Sequence, residues 1–427
     1  MLAAESYINM DVNFVSNIIL PKQYSIEDKL ALMQDDAKFE IACDSDAENT
    51  TLICASEVKG NSSPVKIPKM FLASKCVFNC SYCGCRCSRE ERNNYCNTPE
   101  ELARLSVIAA KNNGNGVFVT SAIYKNADYT QELLAESVRI MREKLCYHGF
   151  IHAKVMPGAD PLLIARTGKY ANRLSINIEV AKSSGYERIA KQKNKANILT
   201  PMRNISNLIM NAKHEKRKFA TSQTTQLMAG STEEDDRTIM TLAQALYKTY
   251  HLKRVYYTAF QYKHEAYGYE NQNLKLTSTP YWRMARLYQA DRLMQLYSFT
   301  PDDITPDIQP NLEYDIDPKA AWALRHLDMY PVEINKADFD TLIRVPGIGI
   351  TYAKRIIEAR KHCTITHDIL KKMRVSLKRC IYFIACDGKY KGGNVLFQPN
   401  IRHYFSTGLD QISIYNSLTA DEKDTCE

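Results

Sequence analysis

The sequence has no apolar run approaching the roughly 20 residues needed to cross a bilayer. Its first residues, MLAAESYINMDVNF, carry neither a basic leader region nor a small-residue cleavage site. A membrane anchor and a secretory leader are therefore not expected, and the chain reads as cytoplasmic, with no membrane partner. An even set of cysteines is missing too: there are 13, five of them crowded between Cys76 and Cys87. Without a leader, that crowding reads as metal chemistry in place of a disulfide framework. No module that captures RNA through stacking aromatics is recognisable. What the chain does have is bulk: its 427 residues are 45% hydrophobic and 24% charged, enough for a substantial core in two to three folding units.

Charge is unevenly spread. Pro331 to Thr407 holds 14 Lys and Arg against 6 Asp and Glu, whereas Gly408 to Glu427 holds 1 against 5. The basic segment points to a polyanionic partner, with a solvated basic face as the alternative.

Residues 1–65 read as an N-terminal extension, with a helical stretch from Ser25 to Phe39, a polar turn region from Asp44 to Asn49, and a linker from Lys59 to Lys69 marked by Gly60, Pro64 and Pro68. Over residues 66–300 short β-rich runs alternate with helical patterns, as in βα units around a parallel sheet. Strands are predicted at Met70–Leu72, Gly116–Thr120, Phe150–Val155, Leu174–Glu179, Phe219–Met228 and Arg254–Phe260. Six such strands make an α/β fold, a partial (β/α)6 barrel, whose reacting ends are the strand C-termini. Thr98 before Pro99 reads as a helix N-cap, and Thr232 with Asp235 as an N-terminal box. A polar loop from Lys263 to Pro280 precedes a long helix from Tyr281 to Tyr297. Pro301, Pro306 and Pro310 mark a linker over 301–321, followed by a basic all-α domain over 322–390 and an irregular tail over 391–427.

Cys76, Cys80 and Cys83 are spaced C-x3-C-x2-C directly after a short apolar strand. Three thiolates on one loop wrap three corners of a [4Fe-4S] cubane and leave the fourth iron without a protein ligand, unlike the four-cysteine electron-transfer clusters. An amino group and a carboxylate can chelate that open iron. A structural zinc site is the alternative, although tetrahedral zinc wants four ligands and usually short C-x-x-C pairs; Cys85 and Cys87 are available as extras. Cys43, Cys54, Cys85, Cys87 and Cys96 are candidates for a second cluster without diagnostic spacing, and Cys146, Cys363, Cys380, Cys386 and Cys426 read as structural or incidental.

The C-x3-C-x2-C segment, with the aromatic Tyr82 before its last cysteine, resembles the motif of the radical S-adenosylmethionine (SAM) superfamily. The resemblance implies that SAM chelates the open iron, that an electron from the cluster breaks its sulfonium bond to the 5′ carbon, and that Tyr82 lies against the adenine. It implies further cofactor-binding positions. Thr120-Ser121-Ala122 stands where the superfamily has a Gly-Gly-Glu-like turn that touches the SAM amino group; the match of Ser121 is positional, and backbone carbonyls can serve instead. Ser175, Asn177 and Glu179 alternate on one face of a predicted strand, suited to the ribose hydroxyls and methionine carboxylate if that face is the lumen; a strand with one solvent-facing side is the alternative. Gln226–Gly230 resembles the later SAM-contact strand. Lys154 sits with His152 on an otherwise apolar strand, and a lysine inside a barrel must be paired or functional, so it is a candidate catalytic residue for substrate or carboxylate binding. Tyr256 and Tyr257 are candidate hydrogen-atom relays, with aromatic packing as the alternative.

Leu342–Ile357 reads as a helix-hairpin-helix motif by resemblance. Gly347 and Gly349 allow the tight turn around Ile348, and the second helix, with Thr351, Lys354 and Arg355, offers backbone N–H groups and cations to a phosphate. Asn335, Lys336, Arg360, Lys361 and His362 flank it as in the nonspecific DNA-binding versions. A helical turn without a ligand, or a protein-binding use, remains the alternative. A degenerate second copy spans Asp368–Phe383, with Met373-Arg374-Val375 in place of the glycine-containing hairpin.

Cys76–Cys83, His152–Asp160, Arg254–Phe260, Arg286–Asp291, Trp322–His326 and Val345–Gly349 together resemble the bacterial family of DNA modification or repair radical SAM proteins. Membership implies a radical SAM enzyme carrying a [4Fe-4S] cluster and SAM, DNA as partner in repair or base modification, a flavodoxin or ferredoxin electron donor, and a uracil-DNA-glycosylase-like companion. Cys85 and Cys87 and the degenerate second hairpin depart from the pattern. Modification of tRNA or other RNA, and a non-enzymatic DNA-binding iron–sulfur protein, stay open as alternatives.

Overall fold

A computed structural model of the chain describes residues 29, 33, 51–53, 66–88, 94–112, 115–261, 278–397 and 401–405. In chain order the elements are β1 (Thr51–Ile53), β2 (Lys66–Phe71), α1 (Pro99–Asn112), β3 (Gly116–Thr120), α2 (Ala127–Glu143), β4 (Phe150–Lys154), α3 (Pro161–Tyr170), β5 (Arg173–Ser175), α4 (Ser183–Ile189), α5 (Lys195–His214), β6 (Ser222–Ala229), α6 (Asp236–Tyr250), β7 (Arg254–Ala259), α7 (Tyr281–Leu296), α8 (Pro301–Ile304) and α9 (Pro318–Arg325). The C-terminal region adds β8 (Val332–Glu333), α10 (Phe339–Arg344), α11 (Ile350–Ala359), α12 (His367–Lys372), α13 (Leu377–Cys380), β9 (Ile384–Cys386) and β10 (Lys389–Tyr390).

Strands β2 to β7 lie side by side in sequence order and are all parallel, while β1 runs antiparallel to β2 at the edge. This is the expected partial (β/α)6 barrel in an α/β chain. Its strands read as continuous apolar or β-branched runs because helices cover one face and the lumen the other; all five residues of β3, Gly-Val-Phe-Val-Thr, are buried. The helices are amphipathic in the complementary way. In α2, Leu134, Val138 and Met141 form the buried stripe, and Asn126 caps the first turn by accepting from the Tyr129 N–H at 2.8 Å.

Local signals held to different degrees. Thr98 and Glu101 form a reciprocal capping box, at 3.2 and 2.9 Å. The start of α6 is displaced from expectation: Asp235, not Thr232, is its N-cap, accepting from the Thr238 N–H at 2.6 Å. The predicted strand Leu174–Glu179 is cut short, because the chain leaves the ladder after Ser175 and reaches Glu179 in the left-handed region, φ 61°. The expected N-terminal helix lies outside the described residues except for Lys29 and Met33, which are helical. Cys43, Cys54 and Cys426, the 44–49 turn and most of the 263–280 loop lie outside them as well.

The C-terminal region is more than helices. A three-stranded sheet, β10-β9-β8, joins its two ends, with β8 parallel to β9 and β10 antiparallel to it. Glu333 supports this sheet by accepting from the backbone of Asn335, Asp387 and Gly388 at 2.9–3.1 Å. The segment 301–321, expected as a linker, carries the short helix α8 with a Thr300–Asp303 capping box and the start of α9. It is also bound to the barrel. Asp236 accepts from the Leu312 N–H at 2.9 Å and from Arg283 at 2.7 Å, and buried Arg286 donates to the carbonyls of Glu313 and Tyr314 at 3.0 and 2.7 Å.

Beyond β6 the chain turns at Gly230, where φ is +82° and an added Cβ would lie 1.8 Å from the Thr279 hydroxyl oxygen. Gly230→Ala should therefore cost at least the roughly 1–3 kcal/mol of a strained left-handed residue, read as a lowered denaturant midpoint. An unchanged midpoint would show that this turn does not hold β6 against the Thr279 segment.

Candidate functional site

The loop that leaves β2 is pinned at several points before it reaches the helices. Val77 N–H donates to Ile123, Ser81 N–H to Ile189, and Cys87 N–H to Phe78, at 2.8–3.0 Å. Two amides point at sulfur: Phe78 N–H at Cys76 Sγ (3.3 Å) and Cys85 N–H at Cys83 Sγ (3.4 Å). Cys76 and Cys80 are buried and Cys83 is half-buried. Burial pushes the Cys76 thiol up to about 11 and the Cys80 thiol to about 12, so in the metal-free protein these sulfurs keep their protons. A bound metal is what ionises such thiols.

All three cysteines line one open cavity at the C-terminal ends of the strands. Its wall includes five other positions expected from sequence: Tyr82, Ser121, Lys154, Asn177 and Glu179, and Gln226 makes a sixth. Asn177 donates to Gln226 at 3.2 Å, and Gln226 to Thr258 at 3.4 Å. The Ser121 hydroxyl donates to the Ala122 carbonyl at 2.6 Å. Cys85, one of the extra thiols, is buried in the same wall.

Lys193 was not found from the sequence. It lies in a charged stretch, Lys191-Gln192-Lys193-Asn194-Lys195, where nothing marks one lysine above the others. In the structure its ammonium is buried, pairs with Glu179 at 2.9 Å and donates to the Tyr82 hydroxyl at 3.0 Å. Burial pulls this ammonium down, but the Glu179 carboxylate outweighs it, so Lys193 stays protonated well above the ordinary lysine range. The Tyr82 hydroxyl is pushed well up, first by burial and then by Glu179, and remains neutral.

Three expectations fall apart in space. Ser175 is buried at the end of β5 and does not line the cavity. Tyr256 pairs in register with Gln226 but does not line the cavity; it is half-buried, with its hydroxyl accepting from Arg173 at 3.4 Å. Tyr257 points the other way, donating to Asp291 at 2.9 Å beneath α7. His152 stacks on Phe118 at 4.2 Å; burial, then the nearby Arg173, Lys154 and Lys69, holds it well below the usual histidine range and uncharged.

The hairpin residues form a second group. Gly347 takes φ +84°, and an added Cβ would lie 2.9 Å from Arg379 Cβ, so the glycine is required by conformation and space. Ile348 is buried as the plug of the turn, while Thr351, Lys354 and Arg355 are exposed along α11. The degenerate copy is also a helix pair, α12 and α13, with Arg374 in the left-handed position, φ 63°.

Residues 330–367 match the helix-hairpin-helix motif, and no curated protein matches the chain significantly. Solved structures give distant similarity. The FeFe-hydrogenase maturase HydG from Carboxydothermus hydrogenoformans aligns at a TM-score of 0.40 and 15% identity, over 53% of this chain and 50% of that one. The radical S-adenosylmethionine methyltransferase TsrM from Kitasatospora setae, solved with cobalamin and a [4Fe-4S] cluster, aligns at 0.33 and 12%, over 73% and 61%. Coproporphyrinogen III oxidase (HemN) from Escherichia coli, described as a radical SAM enzyme, aligns at 0.30 and 12%, over 42% and 40%. The chain spans about half the length of the first of these. The fold assignment rests on the strand order itself. Among the described residues no helix is long and apolar enough to cross a membrane.

The Lys193–Glu179 pair should behave as a buried couple. Lys193→Met alone should destabilise the protein by about 3–5 kcal/mol, because it strands a buried carboxylate. Lys193→Met with Glu179→Gln should cost clearly less than the sum of the single changes. Strict additivity in thermal or denaturant unfolding would mean that the two side chains do not meet.

Proposed function

We propose that the chain is a radical SAM enzyme that acts on DNA, in repair or base modification. The observation that carries this reading is the meeting of Cys76, Cys80 and Cys83 with Asn177, Glu179 and Gln226 around one cavity at the strand C-termini. The residues fit the implied cofactors. Three thiols, two of them receiving backbone N–H groups, make a soft donor set for a [4Fe-4S] cluster. Among the described residues no three His, Cys, Asp or Glu side chains converge on a single ion; a cubane asks instead for one thiolate on each of three irons. The cavity is open to solvent at the strand ends, and Tyr82, Asn177, Glu179 and Gln226 give it both an aromatic face and a polar edge.

When bound, the cluster and SAM supply a 5′-deoxyadenosyl radical. The chain's residues do the positioning. Tyr82, held by Lys193, offers an aromatic face beside the last cysteine. Asn177, Glu179 and Gln226 offer the polar edge for SAM, and Lys154 at the end of the neighbouring β4 offers a cation to a carboxylate or to substrate. Ser121 is placed for backbone or hydroxyl contacts. Ser175 and Tyr256 do not line this cavity. The hairpin of residues 347–349 with Thr351, Lys354 and Arg355 binds the DNA backbone, and a base reaches the barrel by extrusion or from a single strand. A flavodoxin or ferredoxin supplies the electron, and a uracil-DNA-glycosylase-like protein acts alongside.

Anaerobically reconstituted protein given a reductant should convert SAM to 5′-deoxyadenosine. The variant with Cys76, Cys80 and Cys83 all changed to Ala should hold no cluster and form none. Protein that purifies with zinc, or a triple variant that keeps its iron, defeats the enzymatic reading. Parallel incubations with DNA and with RNA, followed by mass analysis of the digested nucleosides, should show a changed nucleoside only from DNA; a change confined to RNA moves the substrate to that class. Lys354→Gln with Arg355→Gln should weaken DNA binding and reduce the salt slope by about one for each phosphate contact removed. Unchanged binding would take the hairpin out of the function.

A further inference from the structure

The hairpin does not stand clear of the barrel. An open crevice lies between them, walled by Gln289, Arg292 and Tyr297 at the end of α7, by Asp317 and Lys319 at the start of α9, by residues 346–349, and by Arg379 of α13. The walls are fixed relative to one another. Lys319 donates from Nζ to the Ile348 carbonyl at 2.6 Å and lies 4.9 Å from the centre of the Tyr297 ring. Arg379 pairs with Asp317. A Cβ added to Gly349 would come within 3.3 Å of the Tyr297 hydroxyl.

The charge count is the informative part. Three cationic side chains, Arg292, Lys319 and Arg379, border a crevice whose lining includes one carboxylate, Asp317, already engaged by Arg379. Asp317 answers the charge of Arg379, and the lining still carries more cations than carboxylates, a surplus that favours an anion in the crevice. Burial moves Lys319 down to about 7, with Asp317 opposing and Arg379 assisting the shift, so its charge is marginal until an anion arrives. Arginine forks and a lysine head are the groups that hold phosphate. A sugar–phosphate chain carries phosphates at regular intervals, so a strand held by the hairpin brings the next phosphates close by.

We infer that this crevice is a second phosphate site, in which Arg292, Lys319 and Arg379 hold a backbone phosphate of the DNA strand next to the one the hairpin holds, so that DNA binding spans the barrel and the hairpin region together. The inference rests on the DNA reading above and adds to it a binding group from the barrel, Arg292 of α7. It makes the docked arrangement of the two regions part of the DNA site.

The test measures duplex and single-stranded 20-mer binding to the full chain by fluorescence anisotropy, over about 50–200 mM salt. Arg292 is exposed, so Arg292→Gln leaves the packing intact. It should lower affinity about 3–10-fold without sequence preference and reduce the salt slope by about 1. Lys213→Gln, exposed on α5, should change neither quantity. If Arg292→Gln leaves affinity and slope unchanged while Lys354→Gln reduces both, the crevice is no phosphate site and the DNA reading survives. If the wild-type chain binds neither strand form, both fall together. Inorganic phosphate at matched ionic strength should not displace the DNA; displacement from the wild type but not from Arg292→Gln would give the crevice to a free phosphate and overturn the strand assignment.

Discussion

The buried contact between Lys193 and Glu179 is the constraint on which the cavity depends. Glu179 comes from the segment that leaves the sheet after β5, Lys193 from the loop before α5, and Tyr82, the third member, from the cysteine loop after β2. Three separate stretches of chain are thus tied at one buried charge pair. Taking both ions out of water is costly, and such a pair is a poor source of stability compared with an apolar replacement. What it provides is position. The carboxylate is also fixed through its backbone, with Glu179 N–H donating to Gln226 and its carbonyl accepting from Met228, at 3.0 and 2.7 Å. After its departure at Ser175 the chain thus meets β6 again in an isolated parallel bridge, Glu179 with Leu227, with Glu179 in the left-handed region.

The same principle joins α6 and α7 to the segment that follows them. Asp236 and Arg283 are a second ion pair with one fully buried partner, and Asp236 spends its other oxygen on the Leu312 backbone. Burial raises the Asp236 carboxyl while Arg283 and the Leu312 N–H act against the shift. Arg344 of α10 lies 4.6 Å from the Phe299 ring and 4.7 Å from the Trp322 ring, so the first helix of the hairpin is held on aromatic faces that follow α7 and lie in α9. The hairpin is therefore seated against the barrel's last helix, and the crevice between them has defined walls.

How much of this was legible follows from how local each cause is. The C-x3-C-x2-C spacing and the Gly-Ile-Gly turn are short-range patterns; the three cysteines line one cavity, and Gly347 takes a left-handed turn. Strand positions were readable to within a few residues because parallel strands are apolar runs; Gly116–Thr120 is matched end to end. The register after β5 was not. Alternation of Ser175, Asn177 and Glu179 assumed a strand that continues, whereas the chain departs from the ladder, leaving Ser175 behind and bringing Asn177 and Glu179 forward. Lys193 was illegible, since a lysine in a polar run becomes special only through a partner 14 residues away and another 111 away. The helical reading of the C-terminal region missed its sheet because β8 and β10 are two residues long and β9 three, too short to set up an alternating pattern.

Electrostatics connects the cavity to the basic surface. Behind the cavity wall, the charges that act on His152 are those of Arg173, Lys154 and Lys69, all positive, and the imidazole stays neutral among them. An uncharged ring stacked on Phe118 fills this space without adding to the repulsion. The lumen beside His152 is thus biased against further cations and toward anionic groups. The crevice beside the hairpin has the same sign, from Arg292, Lys319 and Arg379, and so does the exposed face of α11 with Lys354 and Arg355. A net charge of +8 over the whole chain would arise equally from scattered lysines. Its placement at the barrel lumen, in the crevice beside the hairpin and on α11 gives these three places one sign, and the exposed charges among them are the ones that salt screens most.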